Sequence, residues 1–196
     1  MVHPRQHLRQ IHRQIRSVPQ DVFAQQMVKA HSTHSGQHRR QMQVLNETLK
    51  LHNWHRARHC VPPLIISRTL NEIAQSYANY LAATSTFEHS GNKLGKESLG
   101  ENLYMQWISD GRVKVSGAAA TKNWYDEISL YDYNNPTYSE QTGHFTQMVW
   151  KDTKKMGVGV ALSPDGREVY IVANYYPAGN IINPGHFARN VLRPSC

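Results

Sequence analysis

Two histidines and two glutamates stand beside loops or element ends in this sequence: His89 in FEHSG, Glu101 in LGENLY, Glu127 in WYDEI and His144 in TGHFT. Two imidazoles with two carboxylates can hold a divalent metal, and nitrogen with oxygen donors makes zinc the natural candidate. The same four groups can also serve as general base and acid toward a bound water. Each has a structural alternative. His144 can hydrogen-bond a backbone carbonyl at an element end, and His89 can cap its loop. Glu101, next to Gly100, can accept N–H groups of its own loop, and Glu127 can be an exposed helix carboxylate. No HExxH, GxSxG, P-loop or CxxC pattern occurs, so the compact enzyme signatures are absent.

These residues need elements to position them. Phe145, Gln147 and Val149 alternate with Thr146, Met148 and Trp150, a period of two that predicts a strand, with Gly143 as a break and His144 at the strand mouth. Upstream, Leu45, Leu49 and His52 fall at helical spacing until Val61-Pro62-Pro63, which predicts a helix over 44–58. TLNE reads as a capping box from Thr69 to Glu72. Leu70, Ile73, Ala74, Tyr77, Ala78 and Leu81 then make one apolar face of a helix over 69–83. Residues 84–105 are punctuated by Gly and Ser and read as irregular, 113–130 as a third helix, and 131–143 as a loop. MGVGVAL and EVYIVANYY, joined by the turn SPDG, read as strands, and Pro177, Pro184 and Pro194 close the chain irregularly. Helices first and strands last predict an α+β fold with helices packed on a small antiparallel sheet.

The 196 residues have room for one sizeable core, and no run of about 18 apolar residues predicts a spanning helix. The polar N-terminus lacks the apolar stretch of a signal peptide, so classical secretion is not expected. Cys60 and Cys196 are the only cysteines and lie far apart, which predicts free thiols and a reducing compartment. Of the net charge of +8, residues 1–44 carry +6: Arg5, Arg9, Arg13, Arg16, Lys29, Arg39 and Arg40 against Asp21 alone. His3, His7, His12, His31, His34 and His38 lie there too. Residues 1–43 therefore read as a basic, disordered His- and Gln-rich arm that could visit anionic membranes. Nucleic acid ranks last among partners, because Phe23 is the arm's only aromatic residue.

TGHFTQMVWKDTKKMGVGVA and VANYYPAGNI resemble the two signatures of the CAP superfamily, the cysteine-rich secretory, antigen 5 and pathogenesis-related proteins. LKLHNWHR with VPPL resembles that family's opening helix, and LGENLY and WYDEI resemble its two glutamate motifs. The resemblance covers 44–192 and is nearest to the Golgi-associated branch, which lacks the secreted members' disulfides. It implies an α-β-α sandwich whose cleft gathers His89 and His144 as ligands of zinc or another divalent cation, with Glu101 and Glu127 alongside. It also implies association with lipid or anionic membrane, a homodimer as an alternative arrangement, and a peripheral place on Golgi or other endomembrane, with the extracellular space as the alternative. A binding protein is the first expectation; a zinc-dependent hydrolase with Glu101 or Glu127 as base is its rival. His52 and Asn53 are expected to tie the first helix to the domain, and Trp124, Tyr125, Trp150, Tyr175 and Tyr176 to be core aromatics. The branch's myristoylatable glycine has no counterpart, since Val2, Val28 and Gln43 follow the three candidate methionines.

Overall fold

The computed structural model describes residues 20–196, with side chains from residue 36 onward. The charged and histidine residues of the arm before residue 20 lie outside the described residues. The chain divides between Arg39 and Arg40 into two units, and the fold below is that of residues 40–196. Helix α1 runs Gln20–Arg58 rather than starting near residue 44, so residues 20–43, expected in a disordered arm, are helical. No proline falls between Gln20 and Pro62 to break the helix.

Strand β1, Ile65–Ile66, leads into α2, Arg68–Thr84. Its N-cap is Ser67, whose hydroxyl accepts from Leu70 N, and not Thr69; Glu72 instead pairs with Arg68 at 2.9 Å. The segment expected to be irregular holds a hairpin, β2 Lys93–Leu94 and β3 Glu97–Ser98, and the long strand β4, Gly100–Trp107. The third helix is shorter than expected: α3, Gly117–Asp126, gives way to a 3-10 turn, Glu127–Leu130. The expected strand at Phe145 is a helix, α4, Gly143–Val149. Phe145, Thr146, Gln147, Met148 and Val149 are all buried, so the segment has no polar face to betray a helical period. Strands β5, Lys155–Leu162, and β6, Glu168–Tyr176, fall where the sequence puts them, followed by a short α5, His186–Asn190.

The sheet order is β1-β5-β6-β4, antiparallel except for the short parallel β1–β5 pair. One face packs on α2 through Ala74, Ala78, Leu81, Leu103, Tyr170 and Val172. The other carries the larger core, in which Met156, Val158 and Ile171 meet Leu45 of α1, Trp124 of α3 and Phe145 of α4. This is an α-β-α sandwich. Helix α2 comes close because Gly157 and Gly159 lack side chains: a Cβ at Gly157 would lie 2.1 Å from the Leu70 carbonyl carbon. Beyond β1 the free edge of β5 is satisfied by α2 itself. Asn71 Oδ1 accepts from Val158 N, and Gln75 both accepts from Val160 N and donates to Val160 O.

Two long-range ties fix the elements that carry the site. Arg56 is wholly buried, and its guanidinium donates to the carbonyls of Pro62, Met148, Trp150 and Thr153, binding α1 to the end of α4. Burial lowers this guanidinium to about 10. His52 donates from Nδ1 to Thr48 O and accepts at Nε2 from the Tyr175 hydroxyl, while Asn53 exchanges two bonds with the Leu64 backbone. Trp124, Trp150 and Tyr175 are buried; Tyr125 and Tyr176 are half-buried. The cysteines are not free thiols: a disulfide joins Cys60 to Cys196, with Cα atoms 5.6 Å apart. Ser195 N and Cys196 N both donate to Arg58 O, which returns the chain end to the end of α1. A separation of 136 residues gave that proximity no local signature.

Candidate functional site

His144 is the second residue of α4, and the carboxylate of Glu127 lies directly against it. Glu127 Oε2 accepts from the backbone N–H groups of His144 (2.9 Å) and Phe145 (3.0 Å), so a side chain from the preceding turn caps the helix. Its Oε1 accepts from His144 Nδ1 at 2.6 Å. The His144 ring lies 6.5 Å from that of Trp124, nearly parallel to it, and Asn102 donates to the His144 carbonyl. Asn180 secures the start of α4 by donating to Gly143 O and accepting from the Thr146 hydroxyl.

The second pair repeats the first. Glu101 lies near the start of β4, opposite Asn174 of β6, with its carboxylate almost buried. Oε1 accepts from His89 Nδ1 and Ser90 N, both at 2.9 Å; Oε2 accepts from the Ser90 hydroxyl (2.5 Å) and Asn174 Nδ2 (3.3 Å). Burial alone would raise the Glu101 carboxyl. The bonds from His89, Ser90 and Asn174 outweigh it and leave the carboxyl below its usual value. The bond to Glu101 raises the His89 imidazole, against its partial desolvation.

Both pairs border one cavity of about 490 Å³, lined by His89, Glu101, His144, Tyr138, Glu140 and Asn180 among others. Three of the four sequence candidates reach the cavity wall, and Glu127 stands behind His144 as its support. Ser90, Asn174, Tyr138, Glu140 and Asn180 were not singled out by sequence reasoning. Ser90 adjoins His89 in EHSG and Asn180 ends PAGN, but neither type is distinctive in a loop, and Asn174 reaches Glu101 only through strand register.

The profile of CAP, the "Cysteine-rich secretory protein family", matches residues 49–175. The chain belongs to the CAP family. Human Golgi-associated plant pathogenesis-related protein 1 is 45% identical over 152 residues, covering 78% of this chain and 94% of that protein. Among solved CAP structures, BmVAL-1 aligns with a TM-score of 0.61 at 27% identity, over 79% of this chain and 84% of that one. NaASP2 with Zn2+ aligns with a TM-score of 0.57 at 22% identity, over 76% and 85%, a likeness of fold.

A metal in this CAP cleft would have a particular donor set. Among the described residues, no three His, Cys, Asp or Glu side chains converge as a ready ligand group. Each imidazole spends Nδ1 on its glutamate, and among the described residues no protein group bonds the Nε2 of either. A carboxylate on one ring nitrogen fixes the tautomer and leaves the other as a lone-pair donor, the arrangement that supports a histidine ligand. Two imidazole Nε2 atoms beside one cavity are nitrogen donors of the kind a divalent cation takes.

Proposed function

We propose that this CAP domain is a binding module that holds a divalent cation between His89 and His144 and associates with anionic membrane surfaces. The observation that carries the reading is the doubled glutamate–imidazole pair beside one cavity, each Nδ1 occupied and neither Nε2 bonded among the described residues. In it, Glu101 and Glu127 are orienting groups rather than ligands, since all four of their oxygens already accept from protein donors. The bound ion would supply positive charge and open coordination positions for a ligand's oxygen atoms. Supporting membrane association are the net charge of +8 and the Golgi-associated name of a relative similar over most of its length. No helix among the described residues is long and apolar enough to cross a membrane.

Binding is favoured over hydrolysis by the same geometry. With their oxygens engaged, Glu101 and Glu127, the two bases that reading needs, are poorly placed to take a proton from water. The test is co-flotation of the full chain with anionic and neutral liposomes, with and without zinc, beside a His89→Ala/His144→Ala variant, with zinc affinity measured by calorimetry. Zinc binding lost in the double variant, together with flotation on anionic vesicles only, is expected. Equal zinc affinity in both proteins would refute the cation site, and failure to float under every condition would refute the membrane role.

A further inference from the structure

Strand β1 is one edge of the sheet, and its first residue, Ile65, is 58% exposed. Pro62 and Pro63, just before it, are exposed as well. This apolar segment is held fixed. Arg56 Nε donates to Pro62 O, Asn53 exchanges two bonds with the Leu64 backbone, and Ile65 N donates to Lys154 O. Beside it stand three exposed lysines. Lys155 is the register partner of Ile65 across the parallel β1–β5 pair, and Lys154 Nζ donates to Lys151 O at 3.2 Å, which draws that ammonium to the turn before β5. Among the described residues, no carboxylate lies within ion-pair distance of any of the three. Asp152 faces Arg189 at 4.0 Å instead, and Glu97, at the same end of the sheet, accepts from the Tyr176 hydroxyl. Residues 1–44 hold +6 of the net charge of +8, which leaves +2 for residues 45–196. Three unbalanced ammoniums at one end of one sheet are therefore a concentration of charge that the domain's average does not predict.

We propose that this face, Pro62 to Ile65 with Lys151, Lys154 and Lys155, is the surface by which the domain meets an anionic bilayer. The inference rests on the membrane association proposed above and names its contact surface, which is separate from the histidine cavity because none of these residues lines that cavity. The mixture selects the partner. Anionic headgroups match the ammoniums, and the boundary between headgroups and acyl chains takes Ile65 and the prolines out of water. A nucleic-acid backbone would match the lysines but leave Ile65 either wet or pressed against phosphate. Because the segment is already held by Asn53 and Arg56, docking orders little that is not ordered in the free protein.

The test uses the full chain and nanodiscs of phosphatidylserine with phosphatidylcholine, some carrying a nitroxide-labelled lipid. The label should broaden the amide signals of Ile65, Ile66, Lys154 and Lys155 more than those of α2. In flotation with vesicles of the same lipids, Lys151→Ala/Lys154→Ala/Lys155→Ala should bind on the order of 100-fold more weakly than the parent. Ile65→Ser should bind about tenfold more weakly. Both variants change exposed side chains, so Tm and zinc affinity should stay at the parent's values. If the parent floats but both variants float equally well, or the label broadens another face, this surface is refuted while the membrane reading stands. If the parent floats on no vesicle, both fall. If the lysine variant loses poly(U) binding while Ile65→Ser floats as the parent does, the face belongs to nucleic acid and the proposal is overturned.

Discussion

Replacing Glu127 by glutamine exchanges one carboxylate oxygen for an NH2 and leaves the side-chain shape unchanged. In the parent, Oε2 serves two backbone N–H groups of α4 and Oε1 serves His144 Nδ1. The amide oxygen of glutamine must stay on the two backbone donors, because turning it would leave both unpaired and face them with a third donor. The NH2 group then lies against Nδ1, which can meet it only as an acceptor, so the neutral imidazole moves its proton to Nε2. Two bonds to a charged acceptor become two bonds to a neutral one, which costs roughly 1–2 kcal/mol of stability, small enough to keep the fold. The proton on Nε2 removes the lone pair that a cation needs, so zinc affinity should fall about 10- to 100-fold, the usual loss when a ligand's orienting partner is changed. Two assays read this independently: calorimetric titration with zinc, and long-range proton–nitrogen correlation spectra that report the His144 tautomer without any metal. An unchanged tautomer would refute the orienting role of Glu127. A switched tautomer with unchanged zinc affinity would refute His144 Nε2 as the donor.

Burial holds His52 and His55 down to about 3 and about 4, so below about pH 6.5 the unfolded chain takes up protons that the folded chain refuses. Stability should be full above that value and fall as pH drops, by about 2 kcal/mol for each of the two histidines at about pH 5; urea unfolding with a flat profile from neutral pH to about 5 would contradict it. Gly157→Ala places a methyl 2.1 Å from the Leu70 carbonyl carbon, a backbone atom that cannot step aside, and should cost about 1–3 kcal/mol or more, measured as a lowered Tm. Cys196→Ser opens a link across 136 residues and should lose roughly 2–5 kcal/mol in non-reducing buffer, with parent and variant converging when reductant is added; equal stabilities without reductant would count against the disulfide.

The sequence by itself determined the parts whose signals are local. Alternation and the SPDG turn placed β5 and β6, the apolar stripe from Leu70 to Leu81 placed α2, and the motifs around His89, Glu101, Glu127 and His144 named the family and its candidate side chains. It misread TGHFTQMVW as a strand, because a short helix buried on every side keeps no 3.6-residue polarity, and apolar residues at alternate positions then imitate a strand. It left β4 as loop because the glycines and polar residues of GKESLGEN outweigh a strand whose stability comes from its full-length register with β6. It set the cysteines apart, since only the return of the chain end to Arg58 brings them together. What the tertiary structure alone decided is the division of labour in the cleft. The glutamates lie 12 and 17 positions from their histidines, and no sequence spacing says which carboxylate meets which imidazole or by which nitrogen. The register of β4 on β6 sets Glu101 opposite Asn174, Arg56 holds the end of α4, and in the folded chain each glutamate meets one histidine at Nδ1.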